Sequence, residues 1–181
     1  VKIATVLDKE ALDVLDKGGK VLLTPQFGNL RNEGKDSVVV GFSSIFWNTL
    51  WTNGQAPHTL GILCDPSHPA LSLFPTAYHS DYQWQDAMSH CQAIPLKRLG
   101  DDIKPIVRII DDWFTARSFG MVVEMKVGKG KLLMCSADLT TEMEKRPEAR
   151  QLANSLLHYM KSDAFNPSQV VTVEAIKGLY K

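Results

Sequence analysis

With 181 residues, of which 44% are hydrophobic, the chain is one domain's worth of polypeptide and can bury roughly 70% of its unfolded surface without covalent staples. Twenty basic residues balance twenty acidic ones, which argues against nucleic acid or an anionic membrane as partner, since either leaves a basic footprint. No apolar run approaches the roughly 20 residues needed to cross a bilayer, so no membrane partner is expected.

Residues 1–181 are read as a single α/β domain. Lys2 to Val6 is a short β-prone run, and Asp8 is placed to cap a helix whose buried side comes from Ala11, Leu12, Val14 and Leu15. Gly18 and Gly19 end that helix, and Lys20 to Thr24 is the next strand, stopped by Pro25. Strand, helix and strand within about 25 residues make a compact βαβ unit with parallel strands. Gln26 to Ser37 reads as a loop, and Val38 to Phe42 as a third strand.

Ser43 to Gln85 differs. It is rich in aromatics and prolines and weak in periodicity, with a short strand expected at Leu60 to Cys64 and a helical turn from Pro69 to Leu73, after His68. It reads as a long excursion from the scaffold, of the kind that carries function or an interface. Order resumes at Ala93 to Leu96 and at a strand over Pro105 to Ile110.

Met121, Val123, Met125 and Val127 then alternate with Glu124 and Lys126, the period of a strand. Gly128, Lys129 and Gly130 reverse the chain into an apolar run ending at Cys135 that reads as a strand buried on both faces. From Pro147 to Met160, Ala149, Leu152, Ala153, Leu156, Leu157 and Met160 form one apolar stripe of a helix. Val171 to Tyr180 reads as a short terminal helix. The expectation is a mostly parallel sheet flanked by helices, with a late β-hairpin.

Little in the chain has the form of a catalytic or metal site. The Gly128–Gly130 turn lies between two strands, so no helix N-terminus faces it and it is no phosphate loop. Around Ser43, Gly41 supplies half of a GxSxG elbow, but Ile45 replaces the second glycine. The three cysteines, Cys64, Cys91 and Cys135, are odd in number, lack CxxC spacing and have no elbow. His68, His79 and His90 share a region with Asp65, Asp81 and Asp86, but no HxH or HxxxH spacing orders them, so no metal is expected. Asp101-Asp102 and Asp111-Asp112 are adjacent pairs whose side chains diverge, which suits turns and caps better than a glycosidase carboxylate pair. No cofactor is expected.

The aromatics remain. Trp47, Trp51, Tyr82 and Trp84, with His79, are the candidates for ligand binding or an interface, because large flat side chains with a polar edge suit sugar faces and domain contacts alike. The alternative is that they form a private core for the excursion. If functional, the four rings are expected close together at the C-terminal edge of the parallel strands, where open α/β sheets place their crevice. The sequence begins at Val1 with neither a methionine nor a signal peptide, as a processed protein or a segment of a longer one would.

Several runs carry a family resemblance. Gly61 to Leu71 (GILCDPSHPAL), Phe74 to Thr76 with His79, Tyr82 to Trp84, Gly128 to Leu133 (GKGKLL) and Pro147 to Leu152 (PEARQL) resemble a domain found towards the C-terminus of Bacteroidetes-type glycoside hydrolase family 2, β-galactosidase-like proteins. The resemblance spans about Gly18 to Val173. It implies a class I glutamine-amidotransferase-like, flavodoxin-like fold, and a parent enzyme acting on β-linked glycans in the periplasm or outside the cell. Its partners would be the other domains of that enzyme, and glycan.

Amidotransferases of this fold carry a Cys nucleophile in an elbow and a His-x-Glu motif after a late strand. Here that strand runs into Cys135, Ser136, Ala137, Asp138 and Leu139, without a histidine. The resemblance therefore implies a non-catalytic accessory domain. A free-standing amidotransferase-like enzyme acting on a small substrate is the alternative.

Overall fold

The computed structural model describes residues 1–31, 38–44 and 55–181. Among these residues lie seven strands: β1 (Lys2–Ala4), β2 (Lys20–Leu23), β3 (Thr59–Cys64), β4 (Ile94–Pro95), β5 (Val107–Asp111), β6 (Phe119–Val127) and β7 (Gly130–Cys135). The α-helices are α1 (Lys9–Asp16), α2 (Gln85–Ser89), α3 (Pro147–Lys161) and α4 (Val173–Lys177). The sheet order is β1-β2-β7-β6-β5-β3, and β4 pairs with the first two residues of β6.

The α/β class and the flanking helices are as expected, but the sheet is mixed where a mostly parallel one was predicted. β1, β2 and β7 are mutually parallel. The pairs β7–β6, β6–β5 and β5–β3 are antiparallel. Connection length explains the β5–β6 and β6–β7 pairs, because a parallel crossover needs a dozen or more residues. Only Asp112 to Ser118 separate β5 from β6, and only Gly128 and Lys129 separate β6 from β7.

β7 sits between β2 and β6, and residues 132–135 are fully buried. Leu133 and Cys135 face a core shared with Ala149, Leu152, Leu156 and Met160 of α3. Leu132 and Met134 face the other core, filled by Ala11 and Leu15 of α1 and by Ile176 and Leu179 at the C-terminus. Asp8 caps α1 as predicted, its Oδ1 accepting from the Ala11 N–H at 2.8 Å. α3 buries two residues outside the apolar stripe. Ser155 Oγ donates to the Ala70 carbonyl at 2.7 Å and accepts from the Leu73 N–H, and the Tyr159 hydroxyl donates to Glu124 at 2.6 Å.

Three other elements differ from expectation. Val38–Phe42 forms no strand. Its backbone bonds partly to side chains, with the Val39 N–H on His58 Nδ1 and the Gly41 N–H on Thr59 Oγ1, so no ladder propagates. A 3₁₀ turn at Tyr82–Trp84 runs directly into α2. Finally, the C-terminal segment joins the sheet. The Lys126 N–H donates to the Gln169 carbonyl at 2.7 Å, and the Val171 N–H to the Lys126 carbonyl at 3.0 Å. This segment lies alongside β6 beyond the point where β5 pairs with it.

Candidate functional site

The C-terminal ends of β2 and β7 lead into Thr24 and into Ser136–Leu139, where an open α/β sheet would carry a crevice. Here the polar groups bond to one another. Thr24 Oγ1 donates to the Ala137 carbonyl at 2.9 Å and accepts from the Leu139 N–H at 3.1 Å. Cys91 Sγ lies 3.2 Å from Ser136 Oγ with both residues buried, and burial pushes the thiol up to about 12 despite that contact. Cys135, beside it, is also raised by burial. Neither thiol is poised to ionise.

Asp138 occupies the place after β7 where a catalytic acid would have been informative. Its carboxylate accepts instead from the N–H and hydroxyl groups of both Thr140 and Thr141, at 2.7–3.0 Å. Burial alone would raise its pKa, but these bonds, led by the Thr141 hydroxyl, outweigh it and hold the group at about 2, below the ordinary 3.8. The stabilisation is present above the unfolded value and is lost as pH falls from about 4 towards 2. Asp138→Asn should therefore cost about 1–2 kcal/mol at pH 7 after allowance for solvent screening. Urea melts should show the gap to wild type closing as pH falls through that window, and a gap independent of pH would refute the assignment.

Of the five ligand or interface candidates, three fall within the described residues, and these divide. Trp84 is fully buried, its Nε1 donates to Thr76 Oγ1 at 2.7 Å, and its ring meets Phe74 edge-on at 4.8 Å between centroids. It belongs to the core and offers nothing to a ligand. Tyr82, two residues earlier, is 85% exposed. His79 is exposed and faces Asp81 at 3.9 Å. Trp47 and Trp51 lie outside the described residues, and with them the expected cluster of four rings. Tyr82 does line a hollow of about 550 Å³ with Phe42, Pro57, Met88 and Gln85, and Phe42 is itself 61% exposed.

A second hollow, of about 620 Å³, is a notch at the sheet edge lined by Asp65, His68, Tyr78, Lys104, Arg108 and Glu124 among others. Sheet pairing builds it. β3 ends at Cys64, whose N–H bonds the Tyr78 carbonyl, and this brings Asp65 and Tyr78 to one wall. On another side the Gln169 side chain holds the backbone N–H and carbonyl of Lys104 and also reaches the Glu124 carbonyl. Glu124 comes from β6, where it is oriented by the Tyr159 hydroxyl, whose own pKa is raised by burial and by that carboxylate. His68 Nδ1 accepts from the Ala70 N–H at 3.2 Å, which leaves the neutral ring's proton on Nε2. Cys64 lines the notch too, but burial raises its thiol and Sγ donates to the Ala77 carbonyl.

Several other sequence candidates have structural partners. Asp111 takes a bidentate ion pair from Arg117, and Asp112 caps the turn at Phe114 and Thr115. His90 contacts Asp86, which also receives a bidentate pair from the buried Arg146. Among the described residues no three His, Cys, Asp or Glu side chains are grouped to hold a metal ion, and no helix is long and apolar enough to cross a membrane. The notch escaped the sequence because its residues are scattered from position 63 to 169 and are brought together by strand pairing. A family described as "Domain of unknown function (DUF8487)" has a model that matches residues 2–181, and no curated protein matches the chain.

Proposed function

The chain belongs to the family described as Domain of unknown function (DUF8487), and we propose, from its own runs and site geometry, that it serves as a non-catalytic accessory domain of a β-galactosidase-like glycoside hydrolase, active in the periplasm or outside the cell. The observation that carries this reading is the state of the strand ends. Thr24, Cys91, Ser136 and Asp138 are tied to internal partners, and the thiol is pushed to about 12. A nucleophile needs an ordered base and a lowered pKa. Neither attaches to this thiol.

Segments within the span of the resemblance also support a scaffold role, because they hold one another. Ser155 and Gln151 of α3 bond the Ala70 and Leu73 carbonyls, and Trp84 joins Phe74 and Thr76. The amidotransferase-like, flavodoxin-like assignment is part of the same proposal. The parallel β1-α1-β2 unit with β7 beside it supports that assignment, and the antiparallel β6, β5 and β3 depart from it. Exposed Phe42 and Tyr82, around their hollow, are the surface proposed to meet the parent enzyme's other domains.

The purified chain should not hydrolyse aryl β-glycosides. Turnover above an enzyme-free blank that vanishes on replacing one carboxylate would overturn the reading. Cys64→Ser and Cys91→Ser should each leave the parent enzyme's activity within a few-fold of wild type. A loss of several orders of magnitude in a folded variant would favour an amidotransferase-like enzyme instead.

A further inference from the structure

Four charged side chains line the notch at the sheet edge, and none is ion-paired with another of the four. Lys104 is exposed and its ammonium has no hydrogen bond among the described residues. Arg108 uses one donor, Nη1, on Ser118 Oγ at 3.3 Å. Asp65 Oδ1 is taken by the Ser67 N–H and hydroxyl, while Oδ2 faces no described donor. Glu124 Oε2 is taken by Tyr159, while Oε1 is not. The rim adds Tyr78, 64% exposed and fixed through its backbone carbonyl to Cys64.

Unneutralised charges of both signs around a hollow of about 620 Å³ call for a ligand with both donors and an anion. Guanidinium and ammonium groups suit a carboxylate, and carboxylate oxygens suit hydroxyl donors. An exposed aromatic ring suits the apolar face of a pyranose. We infer that the notch binds a carboxylate-bearing saccharide, whose carboxylate meets Arg108 and Lys104, whose hydroxyls donate to Glu124 and Asp65, and whose ring face lies on Tyr78. The choice of a sugar over another hydroxylated acid rests on the glycan-enzyme reading above.

The test compares cellobiouronate with cellobiose, which differ only in a carboxylate against a hydroxymethyl group, by titration followed by NMR on the whole chain. Cellobiouronate should bind saturably, roughly tenfold or more tightly than cellobiose, and more weakly as salt rises. Arg108→Gln should remove most of the preference. Lys104→Gln should reduce it without affecting the melt, since its side chain is exposed and its backbone bonds to Gln169 are kept. Tyr78→Ala should weaken both sugars.

Equal affinity for the two sugars, no saturable binding of either, or binding indifferent to Arg108→Gln and Tyr78→Ala would overturn the site. The outcome is separable from the accessory-domain reading. An inert chain that fails to bind cellobiouronate refutes the notch alone, whereas binding followed by cleavage keeps the notch and refutes the accessory role.

Discussion

Trp84→Ala is expected to remove about 3–5 kcal/mol of stability. The ring is fully buried, packs edge-on against Phe74 and gives its indole proton to Thr76 Oγ1. Truncation would leave a cavity too large for its neighbours to fill and would take away Thr76's donor. For a domain with a total stability of about 5–15 kcal/mol, much of the folded margin would go. Tyr82→Ala, in the same 3₁₀ turn but 85% exposed, should stay within about 0.5 kcal/mol. Urea unfolding of both variants checks the contrast, and comparable losses would contradict the assignment of Trp84 to the core and Tyr82 to the surface.

Gly130→Ala should cost at or above the upper end of the about 1–3 kcal/mol typical of overpacking. A Cβ there would stand 2.6 Å from Leu15 Cα and 2.8 Å from the Leu15 carbonyl oxygen, so the end of α1 would have to lift from the sheet. Gly128, on the other side of Lys129, is needed for a different reason. It has φ +57° but open space around its Cα, so alanine there meets only the cost of a left-handed backbone, about 1–2 kcal/mol. Thermal melts should rank Gly130→Ala as the more damaging change. The reverse order would mean that α1 does not rest on the hairpin.

These two glycines show where the sequence could be read and where it could not. A Gly-Lys-Gly between two apolar runs announces a hairpin, because turn chemistry is local. The contact between Gly130 and Leu15 joins residues far apart in sequence, and no periodicity reports it. The βαβ unit and α3 were legible for the same local reasons, namely a capping Asp8, glycines after α1 and an apolar stripe.

The helix at Gln85–Ser89 was legible too but obscured. Trp84, Ala87, Met88 and Cys91 stand at i, i+3, i+4 and i+7 and are all buried, yet the pattern straddles the end of a stretch otherwise dominated by prolines and aromatics. That also explains why Trp84 was grouped with Tyr82. Aromatic content marks a ring as useful, whereas only the helical phase tells which ring points inward. The candidate ligand notch was not legible at all. Its charged residues come from β5, β6 and two loops, and the Gln169 amide that anchors Lys104 lies 65 residues away.

The segment around Gln169–Val171 is more than a tether for α4. β5 pairs with β6 only at Phe119, Gly120 and Val122, so further along β6 it is Gln169 and Val171 that occupy the Lys126 N–H and carbonyl. The β-prone run Val123–Val127 would otherwise present open backbone groups along that edge, a template on which another molecule's strand can add. Residues 169–171 thus act against intermolecular strand addition at this stretch of β6, so trimming the C-terminal segment should open an edge for self-association.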